Sequence, residues 1–138
     1  IIENIHLEQI AAIRLNPGDD VLCSLRKAVA QLVIRNGLIL NGTGSVRSHH
    51  HHVVSTGVNP PDEIYVRASA PADVVAMSGM VLDGKVHAHI VFSNDKVAYG
   101  GHLEEGTTVL TFMAITIARI GNSLTGWDSI GALPEKAT

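Results

Sequence analysis

The apolar residues of this chain change their spacing near residue 37, and this change limits the fold more than any other feature. Before that point they recur every three or four positions, as on one face of an α-helix. Asp19 or Asp20 is a suitable N-cap for such a helix, and Asn36-Gly37 is a suitable end. We predict one long helix whose apolar stripe consists of Val21, Leu22, Leu25, Ala28, Val29, Leu32 and Val33.

Beyond Gly37 the chain consists of short apolar runs with a period of two, which is typical of β-strands. Another strand is expected in residues 8–15, where it ends at the turn sequence NPGDD. We therefore expect an α/β fold of the α+β type, in which one main helix packs on an extensive, mostly antiparallel sheet. The later strands are predicted at LILNGTGSV, HHHHVVST, IYVRAS, ADVVAMSGMVLDG, KVHAHIVFS, KVAYGGHL and GTTVLTFMAITIARI, followed by a short excursion and a loose tail.

Size, charge and cysteine content exclude several classes of protein. A chain of 138 residues corresponds to one domain. A net charge of -3 argues against unaided binding of nucleic acid, since phosphate neutralisation requires clustered cations. The single cysteine, Cys23, excludes an internal disulfide and fits a cytoplasmic location. No apolar run reaches about 18 residues and no basic leader is visible, so we expect neither a membrane span nor a signal peptide.

The segment KVHAHIVFSNDKVAYGGHL is predicted to form a hairpin that brings histidines together. Because strand side chains alternate, His87 and His89 share one face while the apolar residues between them share the other. If SNDK forms the turn, His87 lies opposite His102 and His89 lies opposite Gly100. Gly100 and Gly101 would then leave room above the sheet. A loop of odd length would shift the register by one residue and separate the three histidines.

Three imidazoles on such a patch can converge on one metal ion at about 2.0–2.1 Å from each nitrogen. A site of this kind favours zinc or another divalent transition metal over magnesium or calcium, which prefer oxygen ligands. The sequence therefore predicts a metal site at His87, His89 and His102. The alternative is that these histidines form an inert or hydrogen-bonding cluster.

Four consecutive histidines, residues 49–52, precede a plausible strand without a linker, so we interpret the run as native rather than as a purification tag. In a strand only one alternate pair can face the hairpin site. We expect His50 or His52 near the triad, because Val54 would continue their face inward, and Glu105 or its neighbour Glu104 as a partner or general base. Cys23 is predicted to fill the core, and the sequence GTGS lacks the lysine and helix of a phosphate loop.

Several of these segments resemble the PPC domain, the "plants and prokaryotes conserved" domain. The resemblance covers residues 8–120 and leaves residues 121–138 as a C-terminal tail. It implies a curved, mostly antiparallel sheet beside a helix, a homotrimer, and the paired histidine pattern of prokaryotic members. Plant members bind DNA through an Arg-Gly-Arg motif outside this domain, and no such motif occurs in this sequence. The resemblance rests on LNPGDDVLCSLRKAV, ILNGTGSV, MSGMVLDGKVHAHIVFSNDKVAYGGHLEEGTTV, with its Gly100-Gly101-His102-Leu103, and AITIARI.

The segment TTVLTFMAITIARI is apolar on both faces, which predicts a strand that is covered on both. A single helix covers one face, so we expect a second subunit on the other, with Ile115 or Ile117 pointing outward. Together with the trimer that the resemblance implies, these features predict a trimeric metal-binding protein, with an open coordination position that would permit hydrolase or lyase chemistry on a small molecule. The alternatives are a non-enzymatic DNA-binding regulator and a structural trimer whose histidines fill an interface.

Overall fold

The computed structural model describes residues 1–135, and residues 136–138 of the predicted tail lie outside this range. The described chain forms one helix, as the change of hydrophobic period predicts, and seven strands, one fewer than the predicted segments. The helix is α1 (Val21–Gln31). The strands are β1 (Leu7–Leu15), β2 (Gly37–Val54), β3 (Glu63–Ala68), β4 (Ala72–Leu82), β5 (Lys85–Ser93), β6 (Ala98–Leu103) and β7 (Thr108–Ile120).

The long strand β2 organises an antiparallel sheet that closes on itself. Along one edge β2 pairs with β3 and then β4, and along the other edge it pairs with β6 and then β7. Strand β5 pairs with both β4 and β6, which completes a ring of strands, and β1 extends the sheet beyond β7. The predicted mostly antiparallel sheet beside one helix is confirmed. The two segments predicted as separate strands before and within the histidine run are a single strand, β2.

Close backbone contact explains a glycine in the middle of β2. Gly44 has a φ of 150°, and a Cβ at this position would lie 1.9 Å from the carbonyl oxygen of Phe112 on β7. No other residue fits between these strands without moving one of them.

Helix α1 begins as predicted but ends earlier. Asp20 is the N-cap, and its Oδ1 accepts a hydrogen bond from the backbone N–H of Cys23 at 3.0 Å. The helix ends at Gln31 rather than at Asn36-Gly37, because Val33 adopts a left-handed conformation with φ 53°. The N–H groups of Val33 and Ile34 then bond back to the carbonyls of Ala30 and Val29, which is the Schellman arrangement. Val33 is 70% exposed and does not belong to the apolar stripe.

The core fills the concave side of the sheet, where α1 packs against β1, β5 and β7. Strand β7 contributes Met113, Ile115 and Ile117 to this core, and Ile117 is fully buried. The prediction that Ile115 or Ile117 points outward is therefore wrong, since residues two apart share a face and both face the helix side. The large apolar residues that β7 exposes on its other face are Leu110 and Phe112, which is 40% exposed.

The segment after β7 packs against the outer side of the sheet. Leu124 is buried against Leu82 and Ile120, so this part of the predicted loose tail is ordered by apolar contact. Cys23 is exposed on α1 and does not fill the core as predicted. Among residues 1–135 the only helix has 11 residues, which is too short to cross a membrane.

Candidate metal centre

The turn between β5 and β6 sets the register of the histidine hairpin. The backbone N–H of Asn94 donates to the carbonyl of Val97 at 3.1 Å, and Asn94 Oδ1 accepts from the N–H groups of Lys96 and Val97 at 2.9 and 3.0 Å. Val97 is thus held in the turn, so the four-residue loop is Asn94–Val97 rather than SNDK. The pairs shift by two residues relative to the prediction. Since two is the side-chain period of a strand, the histidines keep their face.

The corrected register places His102 at the centre of a histidine cluster on the convex face of the sheet. His102 pairs with His89 on β5 and with His52 on β2, and the predicted pairs of His87 with His102 and of His89 with Gly100 are wrong. His87 pairs with Met80 on β4 and is the diagonal neighbour of His102. The ring centroids of His87 and His89 lie 4.6 and 5.6 Å from that of His102.

One ligand nitrogen from each of His87, His89 and His102 can be chosen so that all three lie within 4.8 Å of one another. Nitrogens around a tetrahedral ion stand about 3.3 Å apart, given bonds of about 2.0–2.1 Å. Small side-chain rotations therefore suffice to bring the three together. The structure brings the three predicted residues into one group on two neighbouring strands.

A carboxylate from the C-terminal segment orients one member of this group. Asp128 Oδ2 lies 3.2 Å from His87 Nδ1, which fixes the ring and leaves Nε2 free to bind an ion. The two residues are 41 positions apart, and Asp128 lies in the segment that the sequence predicts as a tail. A tail has no hydrophobic period, so no pattern marks this residue in advance.

His52 and Glu104 form a second carboxylate–histidine pair beside His102. His52 Nδ1 lies 2.7 Å from Glu104 Oε1, and the His52 ring stacks on His102 with centroids 4.3 Å apart. These three residues also satisfy the distance condition for a metal group. However, 2.7 Å is a hydrogen-bond distance and is shorter than the separation of two ligand atoms on one ion. The two atoms are hydrogen-bonded, and we interpret the pair as support for the cluster rather than as a second metal site.

The other predicted neighbours lie away from the cluster. His50 shares the face of His52 as expected, but its Nδ1 bonds the backbone carbonyl of Glu105 at 2.6 Å. The Glu105 side chain pairs with Arg26, so Glu104 and not Glu105 is the carboxylate beside the histidines. The reason given for placing His52 here is wrong, because Val54 is 66% exposed and does not continue inward.

Partial burial and repulsion between neighbouring imidazoles lower the pKa of two histidines of the cluster, His89 and His102. Burial, reinforced by His52 and His87, lowers the pKa of His102 to about 4. Burial also lowers the pKa of His89, with a further contribution from His87 and His52. Both imidazoles are therefore neutral near pH 7, and their lone pairs are available to a cation without competition from a proton.

A cavity of about 430 Å³ lies over the cluster. Three histidines of the metal group and His52 form its floor, and apolar side chains form much of its wall. Gly101 lines it, but the reason for this glycine is close packing: a Cβ would lie 2.3 Å from the carbonyl oxygen of His52. Gly100 meets Ile90 in the same way, so the prediction that both glycines make room above the sheet is wrong. The cavity is lined by His52, Val53, Val54, Pro61, Glu63, His87, His89, Gly101, His102 and Ile130.

Comparison with known protein families decides the identity of the domain. The model of the Plants and Prokaryotes Conserved (PCC) domain matches residues 6–121. The chain belongs to this family. It is the domain that the sequence motifs resemble, also abbreviated PPC. No protein with a curated description matches the chain.

Solved structures share the fold of this PCC domain. A metal-containing protein from Archaeoglobus fulgidus is 19% identical, with a TM-score of 0.77 over 89% of this chain and 87% of that chain. A plant- and prokaryote-conserved protein from Pyrococcus horikoshii is 20% identical, with a TM-score of 0.74 over 91% and 88%. A candidate DNA-binding protein from Bacteroides thetaiotaomicron is 12% identical, with a TM-score of 0.72 over 86% of each chain.

The ligand atoms that this PCC domain offers are suitable for a transition metal. Three imidazoles converge, and one of them is already oriented by a carboxylate through its second nitrogen. Soft or borderline divalent ions prefer such nitrogen ligands, whereas calcium and magnesium would need oxygen ligands that the group of three does not supply.

Proposed function

We propose that this chain is a metal-binding PCC-domain protein that holds a divalent transition metal, zinc in the first place, through His87, His89 and His102. One observation carries the proposal: the ligand atoms of these three residues lie within 4.8 Å of one another on the convex face of the sheet. The description of the Archaeoglobus fulgidus structure as metal-containing supports it.

The residues of the chain would bind and orient the ion. His89 and His102 are fixed by direct pairing of their strands, and His87 is held by the Asp128 carboxylate. A zinc ion with three histidine ligands keeps an open position, where it can polarise a carbonyl group or lower the pKa of bound water to about 7. The cavity above the three histidines gives a small molecule access to that position. We infer hydrolase or lyase chemistry on a small molecule as the activity that this arrangement suits.

We further propose that the protein is a homotrimer in the cytoplasm, as the family resemblance implies. The exposed side chains of Phe112 and Leu110 on the outer face of β7 support an interface there. The single cysteine supports a reducing compartment.

Substitution of single histidines tests the metal site. The protein should be purified without a metal-affinity column, dialysed, and measured by elemental analysis. We expect about one ion per chain in the unmodified protein, and background content after His87→Ala, His89→Ala or His102→Ala. His50 lies on the same face of the sheet but outside the group of three. His50→Ala is therefore the matched control, and this variant should keep the ion. Metal content that survives any two of the three substitutions would show that the ligands lie elsewhere.

A non-enzymatic DNA-binding role is the second candidate, because a Bacteroides thetaiotaomicron structure with this fold is described as a candidate DNA-binding protein. The net charge of -3 and the absence of an Arg-Gly-Arg sequence argue against it. We expect only weak, sequence-indifferent binding near physiological salt. Submicromolar binding to an A·T-rich duplex at that ionic strength would favour the DNA-binding role instead.

A further inference from the structure

The walls of the cavity over the histidines are apolar. Val53 and Val54 come from the end of β2, Pro61 from the loop that follows it, and Ile130 from the C-terminal segment. Val54 and Ile130 are 66% and 69% exposed and line the cavity, so they present apolar surface that a ligand can cover. A ligand bound in the cavity would bury apolar surface there.

The charged groups around the cavity are negative. Glu63 lines it, with Oε1 at 3.5 Å from His52 Nε2. Glu104 and Asp128 contact the histidines of its floor at 2.7 and 3.2 Å. Within residues 1–135 no lysine or arginine lines the cavity. The nearest cation along β5, Lys85, lies two positions before His87 and outside the lining.

A divalent ion would not make this region a site for polyanions. Its two positive charges would face three carboxylates, and the carboxylates are not paired with any arginine or lysine in the ion pairs of the described chain. Phosphate and carboxylate ligands are usually held by arginine or lysine, which supply charge and several donors at once. Such a donor set is missing from this cavity in the part of the chain that the structure describes.

We propose that the ligand of this site is a neutral or cationic small molecule with a compact apolar group, and that Val54 and Ile130 determine its specificity. The inference rests on the metal site proposed above. It excludes nucleotides, sugar phosphates and other polyanions as ligands. The reacting group, a carbonyl or another weak base, would face the histidines while the apolar group lies against Val54 and Ile130.

Binding of simple probes tests this inference without an activity assay. The protein is loaded with cobalt(II), metal content is measured first, and ligand binding is followed by the visible spectrum of the cobalt centre at about pH 8, where imidazoles are mostly uncharged. The probes are imidazole, 4-phenylimidazole and inorganic phosphate. We expect 4-phenylimidazole to bind at least about tenfold more tightly than imidazole, because its phenyl ring buries apolar area. Phosphate should bind more weakly than imidazole.

Two variants and a matched control test whether the cavity walls cause the preference for 4-phenylimidazole over imidazole. Val54→Ser and Ile130→Ser should each reduce the preference for 4-phenylimidazole over imidazole by about threefold or more, while leaving metal content unchanged. Val58→Ser is the control, since Val58 is 64% exposed, close to the 66% of Val54, but does not line the cavity. It should leave the preference unchanged.

The outcomes separate this inference from the proposal on which it rests. A protein without stoichiometric cobalt would overturn both. A cobalt-loaded protein that prefers phosphate, or that binds both imidazoles equally, would leave the metal site standing and overturn the inference about the ligand. Equal effects of Val54→Ser and Val58→Ser would likewise remove the role of the cavity wall.

Discussion

Histidines on the two faces of the sheet lie in opposite environments. On the concave face, His49 and His51 are buried, their rings lie 5.4 Å apart, and the Nδ1 atom of each has no hydrogen-bond partner in the described chain. On the convex face, His87 and His52 are each held by a carboxylate. One step along β2, from His51 to His52, moves an imidazole from the first environment to the second. The environment, and not the histidine itself, decides which cluster can bind a cation.

This difference indicates which of the two histidine clusters is accessible to a ligand. The inner pair packs against Phe92 and Tyr99, and Tyr99 Oη lies 3.2 Å from His49 Nε2, so these rings act as core side chains with one polar contact. Both rings are almost fully buried, at 4% and 3% exposure. The outer cluster faces a cavity and has carboxylates behind it. The inner cluster is therefore part of the core, and the outer cluster is the proposed ligand site.

The largest effect should come from placing a charge on each face of β7. Ile117→Lys buries a cation in the core without a partner, which should cost about 4 kcal/mol or more and unfold much of the protein. Phe112→Lys changes an outward residue, so the fold should survive with a loss below about 1 kcal/mol, while the proposed trimer should dissociate. Urea unfolding measures the first effect and light scattering the second. Equal destabilisation by both variants would mean that the faces are assigned wrongly.

Acid should destabilise the metal-free protein. Burial lowers the folded-state pKa of His49 and His51 on the inner face and of His89 and His102 on the outer face, to about 4 for His102. Between about pH 6.5 and those lowered values the unfolded chain binds more protons, so stability is fully present above about 6.5 and falls as the pH falls. The contribution of His102 alone is roughly 1–3 kcal/mol. Unfolding midpoints in urea at several pH values measure the loss.

A substitution on the inner face separates its contribution from that of the outer face. His51→Leu removes a buried imidazole with an unpaired nitrogen and fills the place with apolar atoms, so stability near neutral pH should change by less than about 1 kcal/mol. The acid-induced loss should become smaller, because one proton-binding group of the unfolded chain is gone. His6→Leu, at an exposed site, is the control. If His51→Leu leaves the acid-induced loss unchanged, His51 does not contribute to it.

A local effect on metal affinity concerns the carboxylate behind the outer cluster. Asp128→Asn should weaken metal binding by about tenfold, because the amide holds the His87 ring less firmly and makes Nε2 a poorer ligand. Asp95→Asn, in the exposed β5–β6 turn, should change nothing. Competition with a chromophoric chelator measures the affinity. Unchanged affinity in Asp128→Asn would mean that the His87–Asp128 contact has no part in metal binding.

Much of the fold and the composition of the outer cluster follow from local patterns. The period of two in β5 places His87 and His89 together on one face, whatever the register, and an even shift of the hairpin keeps His102 with them. The stripe of α1 is equally local, since it depends on contacts one turn apart. These features could be predicted because each is set by neighbours within a few residues.

The other features of the fold and the site depend on contacts that the hydrophobic period of the sequence does not predict. The exact pairing of His102 depends on Asn94 holding Val97 in the turn, which is a matter of side-chain hydrogen bonding. The choice of Glu104 over Glu105 depends on where the chain leaves β6, and Asp128 reaches His87 from a segment without regular structure. Closure of the sheet through β2 and β6 also joins distant parts of the chain. Such contacts become visible only in the folded structure.

Anomalous scattering tests the assignment of the metal to the outer face most directly. Crystals of protein purified without a metal-affinity column should show one strong peak per chain, at about 2.0–2.1 Å from a nitrogen of each of His87, His89 and His102. The absorption edge would identify the element, and zinc is expected. No peak at these histidines in protein supplied with zinc, or a peak at His49 and His51 instead, would contradict the account.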